Sequence, residues 1–441
     1  MKRKITRLTV LLILALIFYF SFKFLPQVEI ATGYAAKSAC SYYFQGRELD
    51  DIKKTDLDDF PLSLVTLNSD TVQAKITATL LGLKPKTAIY RRGLGCALLK
   101  GSDDYHIERH SYSEDNKGAP STKLPKSSLA NSKAQQLRDL QKLAMDSPGK
   151  WEKKTTSLLV VYKDSLVAEF YSKDFDSETE ILGWSMTKSV CSLVAGIMIK
   201  EGYLDTLEKN LFAEWTDDDR AKVSLANLLK MNSGLNWQEE YTSVSDIIQG
   251  LFMEEDMVSF VKQKSLEEGI GQEWKYSSGT TNLISGYMRN KFDSYQEYLD
   301  YPHQKLFAPL GIQHATIETD EAGNYIYSSF MFAKARDWAK LGLLYLHKGR
   351  WKGQQLIDSS YMQWAIKPSS ADPNYGAQLW LNTDHKDYPS APEDSYKFSG
   401  YNGQYVIIIP SKELVIVRTG LSKEFPFDMD AVIKKIMELI E

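Results

Sequence analysis

The sequence predicts a mixed α/β fold, an antiparallel sheet flanked by helices with a helical subdomain inserted into it. Strand-like runs lie at both ends of the region beyond residue 131, and polar, helix-rich sequence fills roughly 205–300 between them. A final helix-like segment, AVIKKIMELIE, carries an apolar stripe suited to covering a sheet.

The chain has 441 residues, 43% hydrophobic and 25% charged, so disordered and collagen-like classes are excluded. A formal net charge of -4 gives no broad positive field, which argues against nucleic acid as a partner. At the start, MKRKITR carries four basic groups, and 8–25 run apolar with Lys23 the only charge. Such a run nearly crosses a hydrocarbon core of roughly 30 Å, and basic residues before it hold that end in the cytoplasm. A cleaved signal peptide is the competing reading. Its apolar region is usually shorter and closely followed by a small-x-small site, whereas Phe24, Leu25 and Pro26 follow here and the first small cluster begins at Ala31. The expectation is an uncleaved anchor over 1–26, a membrane partner, and a single-pass location in the inner (cytoplasmic) membrane with the body on the periplasmic, extracytoplasmic side.

Over 27–99, short apolar runs (SLVTL, ITATLLGL, TAIY, GCALL) suggest a small strand-rich or mixed unit. Polar sequence at 101–133 reads as a linker, dividing 27–130 from a larger domain at 131–441. Of the three cysteines, Cys191 sits in an apolar run as a small buried hydrophobe, while Cys40 and Cys96 could form one disulfide. Within the larger domain AQQLRDLQKLAM has helical spacing. TSLLVVY (156–162) and SLVAEFY (165–171) form a hairpin turning at Lys163 and Asp164. A long apolar helix spans 186–201 and closes at Gly202, and a further helix covers 333–347. QYVIIIP and LVIVRTG are strands turning at Ser411 and Lys412.

Three segments could carry chemistry. In ILGWSMTKSVCSLVAGIMIKEG, Ser185 opens the buried-type helix and Lys188 lies one turn on, so hydroxyl and ammonium share a face at a helix N-terminus. Burial favours the neutral, proton-accepting form of a lysine. Ser-x-x-Lys also occurs at Ser147, before Pro148 in a loop, and at Ser259, in an ordinary amphipathic stretch; only Ser185 has the buried context. The competing reading makes Ser185 a helix cap with Lys188 reaching to solvent. In EWKYSSGTTNLISGYM, Tyr276 precedes a helix and could act as phenolate on a serine proton, or simply pack. In KFSGYNGQYVIIIP, Phe398, Ser399 and Gly400 lead into a strand. There a backbone N–H paired with that of Ser185 would form an oxyanion hole worth ~3 kcal/mol per donor, unless the glycines merely make a turn.

Ser-x-x-Lys, Tyr-Ser-x and a strand-edge triad ending in Gly, in that order, resemble the signature of the serine β-lactamase and penicillin-binding-protein superfamily. The tyrosine form is similar to class C β-lactamases, DD-peptidases and esterase relatives. Within that group MNSGLNW (231–237), ARDWAKLGLLYLHKGRWKGQQLI (335–357) and YGAQLWL (375–381) look most like aminohexanoate-oligomer (nylon oligomer) hydrolases. The resemblance covers about 131–441 and implies a β-lactamase/transpeptidase-like fold and an acyl-enzyme mechanism without a cofactor. It makes Ser185 the nucleophile, Lys188 its polarising partner, Tyr276 the general base and later acid, and the N–H groups of Ser185 and Tyr401 the oxyanion donors. Ser278, Phe398, Ser399 and Gly400 would line the substrate. Two departures from the family pattern bear on substrate: Ser278 stands where many relatives have Asn, and Phe398 where penicillin-recognising members have Lys or His. Without that cation a substrate carboxylate loses a partner, so a small-molecule ester or oligoamide is expected before a β-lactam or cell-wall peptide.

A metal hydrolase has only His106 and His110 at helical spacing, in the polar linker, and no metal is expected. No G-x-S-x-G elbow surrounds Ser185. A non-catalytic peptide-binding relative is the alternative from another class.

Overall fold

The computed structural model describes residues 24–100, 123–147, 150, 152–422 and 427–441. The chain forms two compact units. Of the described residues, the first takes 24–100, Gln238–Phe260 and Thr319–Gly323, and the second those within 123–237, Val261–Glu318 and Asn324–Glu441.

In the first unit a helix over 24–43 accompanies an antiparallel meander of β1 (Val65–Asp70), β2 (Lys75–Leu80), β3 (Leu83–Arg91) and β4 (Gly95–Leu99). Ile76, Ala78 and Leu80 of β2 are buried while their neighbours are not, as period-two alternation dictates. Cys40 of the helix is bonded to Cys96 of β4, and Glu29 meets Lys84 and Lys86 of β3 at 3.0 and 2.6 Å. Lys86 foremost holds the Glu29 carboxyl below its usual range. The helix buries a small-residue face of Ala35, Ala36, Ala39 and Cys40, and at Gly33 an added Cβ would come within 2.9 Å of the Phe252 carbonyl oxygen.

The membrane placement is corrected by this unit. Among the described residues no helix is long and apolar enough to cross a membrane. Positions 1–23 of the expected anchor lie outside the described residues. The helix over 24–43 opens with Phe24 and Leu25 but carries Glu29 and Lys37 and spends its apolar face on its own unit. The membrane partner and the inner-membrane, single-pass location are withdrawn with it. Linker residues 101–122, His106 and His110 among them, also lie outside the described residues.

The second unit is built on a six-stranded antiparallel sheet ordered β12-β13-β14-β15-β5-β6. Its strands are β5 (Thr155–Tyr162), β6 (Ser165–Tyr171), β12 (Trp380–Leu381), β13 (Tyr396–Gly400), β14 (Gln404–Ile409) and β15 (Leu414–Gly420). Lys163 and Asp164 make the β5–β6 turn with φ of 47° and 60°, the left-handed pair that a tight hairpin requires. Both sheet faces are covered, which is why β14 and β15 read as unbroken apolar runs. On one face the terminal helix Met429–Ile440 and the helix Ala134–Ala144 bury Val432, Ile433, Ile436 and Leu140 against Leu158, Ile407 and Ile416. The other face carries the helix Ala335–Leu346, whose Gly342 lets it sit on the sheet: an added Cβ would lie 2.7 and 2.8 Å from Val406 and Val415. A small sheet pairs β9 (Met331–Lys334) with both β7 (Glu180–Leu182) and β8 (Thr316–Ile317), and β10 (Arg350–Trp351) pairs with β11 (Gln354–Gln355). The fold is the predicted one.

Candidate active site

Strand β7 delivers the nucleophile. The Gly183 N–H donates to the Met331 carbonyl at 2.8 Å, and a side chain at Gly183 would collide with the Trp338 ring. Trp184 then takes a left-handed φ of 48°, a strain of ~1–3 kcal/mol for a non-glycine residue, and turns the chain into the helix Met186–Lys200. Ser185 occupies the N-cap position but its side chain makes no capping hydrogen bond. Lys188 is 1% exposed and does not reach solvent. Both features of the capping alternative are therefore absent. The helix is buried without a break from Met186 to Met198 and ends with Gly202 at φ 83°.

Lys188 Nζ donates to Ser185 Oγ at 3.0 Å, to Ser278 Oγ at 2.9 Å and to the Ser328 carbonyl at 2.8 Å. It also lies 4.8 Å from the centroid of the Tyr276 ring. A serine and a lysine one helical turn apart and a tyrosine from a distant part of the chain thus meet around one ammonium. Two supports aim this cluster. Ser277 caps the helix Ser278–Arg289 by accepting from the Thr280 N–H, and Gly279 lets that helix start against the Trp237 ring, 2.8 Å from an added Cβ. Behind them, Asn282 donates to Ser328 Oγ at 3.0 Å and accepts from the Ser328 N–H at 3.2 Å, fixing the carbonyl that Lys188 uses. The Ser328 carbonyl escapes sequence reasoning because a backbone acceptor has no side-chain signature.

Ser278 is placed otherwise than expected. It is 0% exposed with its hydroxyl turned to Lys188, so in this structure its contact is with the ammonium. Phe398 is corrected too. Its side chain is 0% exposed, 5.3 Å from the Tyr345 ring, because its register on β13 points it into the protein interior. Lys397, next in sequence, is paired with Asp387 at 2.7 Å. Ser399 and Gly400, by contrast, are half-buried at the strand end. An added Cβ on Gly400 would overlap the Gly183 carbonyl oxygen, so the end of β13 touches the backbone two residues before Ser185. The Tyr401 ring meets Trp184 edge-on at 5.6 Å, which sets the Tyr401 backbone beside the segment carrying Ser185.

Aromatic side chains surround this cluster. Trp184 lies 6.0 Å from Phe330, while Tyr276 neighbours Trp380 at 5.3 Å and Trp274 at 6.3 Å, with Tyr375 behind. Trp184 and Trp274 stand within two residues of Ser185 and Tyr276, and that proximity is the signal available in the sequence. Deeper in, burial raises the Cys191 thiol and the Tyr345 phenol well above their ordinary values, as expected of a dry interior behind the serine.

Residues 154–434 match the Beta-lactamase family. The 6-aminohexanoate-dimer hydrolase of Paenarthrobacter ureafaciens is 22% identical over 294 residues, covering 60% of this chain and 72% of that protein. Among solved structures, a Bacillus anthracis protein provisionally assigned as a 6-aminohexanoate-dimer hydrolase is similar with a TM-score of 0.58 at 15% identity, covering 89% of this chain and 97% of that one. A family VIII carboxylesterase is similar with a TM-score of 0.53 at 12% identity, covering 71% and 98%. At such identities the structural likeness speaks for the fold.

Proposed function

From the premise that this chain belongs to the Beta-lactamase family, we propose that it is a serine hydrolase cleaving an ester or amide bond through an acyl-enzyme on Ser185. The observation that carries this reading is the Lys188 ammonium, within hydrogen-bond reach of Ser185 Oγ and facing the Tyr276 ring.

In the proposed reaction Ser185 Oγ adds to the substrate carbonyl carbon as its proton passes to Tyr276, which acts as phenolate beside the ammonium, while Lys188 holds the hydroxyl in place. The electron pair of the carbonyl moves onto oxygen, where the N–H groups of Ser185 and Tyr401 receive it. Collapse breaks the bond to the leaving group, which takes the proton from Tyr276. Water then adds to the acyl-enzyme with Tyr276 again as base, releasing the acid and restoring Ser185.

For substrate, the inward Phe398 and the paired Lys397 supply no cation at the strand position that would meet a penicillin-type carboxylate. Esters and short oligoamides are favoured, in keeping with the activity named for the Paenarthrobacter relative. A fluorophosphonate probe read by mass spectrometry tests the chemistry: label is expected on Ser185 and lost in Ser185→Ala. No acylation by any ester probe would leave a binding protein instead. A panel of p-nitrophenyl esters, aminohexanoate dimers, D-amino-acid peptides and nitrocefin tests the substrate class. Preference for nitrocefin or D-peptides overturns it.

A further inference from the structure

Strand β15 carries a buried guanidinium that the chemistry above leaves unused. Arg418 is 0% exposed in a run that otherwise reads LVIV. Nη1 donates to the carbonyl oxygens of Asn402 at 3.2 Å and Gly403 at 2.7 Å. Nη2 donates to the Lys153 carbonyl at 2.9 Å, Thr155 Oγ1 at 3.0 Å and Ser422 Oγ at 2.7 Å, and Nε reaches Thr155 Oγ1 at 3.3 Å. The Phe427 ring lies 4.4 Å from Cζ. Taking a guanidinium out of water is costly, so a fork spent this fully on backbone oxygens and hydroxyls marks a place where local geometry matters.

Two of its acceptors belong to the turn Tyr401–Gly403. Asn402 in that turn is left-handed at φ 63°, and its carbonyl also accepts from the Ser422 N–H at 3.1 Å. Gln404, the next residue, is tied through its side-chain amide to the backbone of Gly420, accepting from its N–H at 3.1 Å and donating to its carbonyl. On the other side Gly400 abuts the Gly183 carbonyl. The Gly400–Tyr401 peptide is held between the backbone leading into Ser185 and a turn pinned by Arg418.

We propose that Arg418 is a positioning residue for hydrolysis, clamping the Tyr401–Gly403 turn so that the Tyr401 N–H stays aimed at the developing oxyanion. The inference rests on the reading of Ser185 as nucleophile and of Tyr401 as second donor. The three chain segments that hold its acceptors are bridged by one side chain with five N–H donors in a fixed fork, more than the three that a compact ammonium offers.

The test compares Arg418→Met and Arg418→Lys with Ile436→Ala, which loosens the terminal helix without touching the turn. At a temperature where each is fully folded by circular dichroism, both Arg418 variants lose kcat on a p-nitrophenyl ester by about 10- to 100-fold, with KM within about twofold. Ile436→Ala keeps its kcat. Guanidinium ion at millimolar concentration restores part of kcat in Arg418→Ala, and ammonium does not. A folded Arg418→Met with the parent's kcat overturns the proposal. Should the arginine variants fail to fold, Thr155→Val carries the same test: it removes two of the arginine's contacts, lowers kcat by about threefold at unchanged KM, and counts against the clamp if kcat is unaltered. Ser185→Ala separates the two readings. If it still turns over, the nucleophile assignment fails; if it is dead while Arg418→Met is fully active, only the clamp fails.

Discussion

Lys188 sits among three acceptors at 2.8 to 3.0 Å, and each has a different consequence when removed. Lys188→Met strips the hydroxyl of its partner, and kcat for ester turnover is expected to fall by about 10³-fold. Tyr276→Phe keeps the ring beside the ammonium and the melting temperature of the parent, while kcat falls to a similar extent; parent-like turnover in that variant refutes the assigned base. Ser278→Ala leaves the ammonium two of its acceptors, so a milder loss of about tenfold in kcat and about 1 kcal/mol in stability is expected, measured by steady-state kinetics and thermal melts. At this scale the sequence is informative where neighbours constrain orientation: an apolar helix with Ser185 and Lys188 one turn apart leaves one way for them to face. It is uninformative where motif order names the strand or helix but not the face, which is why the motifs alone put Ser278 and Phe398 against the substrate. Arg418 is invisible for a related reason, since one charge in LVIVRTG looks like a strand end.

Elements transmit these placements through close backbone contacts. Gly400→Ala puts a methyl into the Gly183 carbonyl, prising β13 from the segment before Ser185, and a loss of about 100-fold in kcat is expected with KM little changed. Strand β7 adds a pH dependence. Glu180 pairs across from Lys334, and burial lifts its carboxyl to about 7, with Lys334 opposing and Asp337 reinforcing. A carboxyl raised in the folded state binds its proton more tightly there than when unfolded, so its contribution is most favourable in acid and declines as pH rises from about 4.5 to about 7. Glu180→Gln is therefore expected to exceed the parent in stability at pH 8 by up to ~3 kcal/mol and to match it near pH 4.5, read by denaturant melts at both values. The β5–β6 hairpin and the helix ending at Gly202 are legible because short-range patterns specify them. After β14 the expected two-residue turn at Ser411 and Lys412 is instead a helical turn, Pro410–Lys412, followed by left-handed Glu413 at φ 47°. Proline fixes its own φ in the helical range, and reversing the strand then needs one further residue with positive φ.

For the whole molecule, Ser185, Lys188, Tyr276 and Tyr401 all belong to the second unit, and the Cys40–Cys96 bond belongs to the first. Those cysteines are 56 residues apart, a loop whose closure is worth ~4 kcal/mol in the unfolded-chain account. Replacing both with serine is expected to lower the melting point of the first unit while the folded second unit retains ester turnover; parallel loss of both would show that the units do not behave independently. Nothing local in 238–260 marks it as part of the N-terminal unit, because that membership is made by contacts such as Tyr34 against Phe252 at 5.4 Å. The sheet of the second unit joins its two ends, with Val160 of β5 opposite Ile416 of β15. A growing polypeptide thus releases β5 from the ribosome about 250 residues before β15, its second neighbour in the sheet, is made, and the middle of the sheet closes only after that strand has emerged. Nascent chains interrupted before 414 keep bare strand edges and lack Arg418, so they are expected to aggregate or be degraded and not to persist as weakened enzymes.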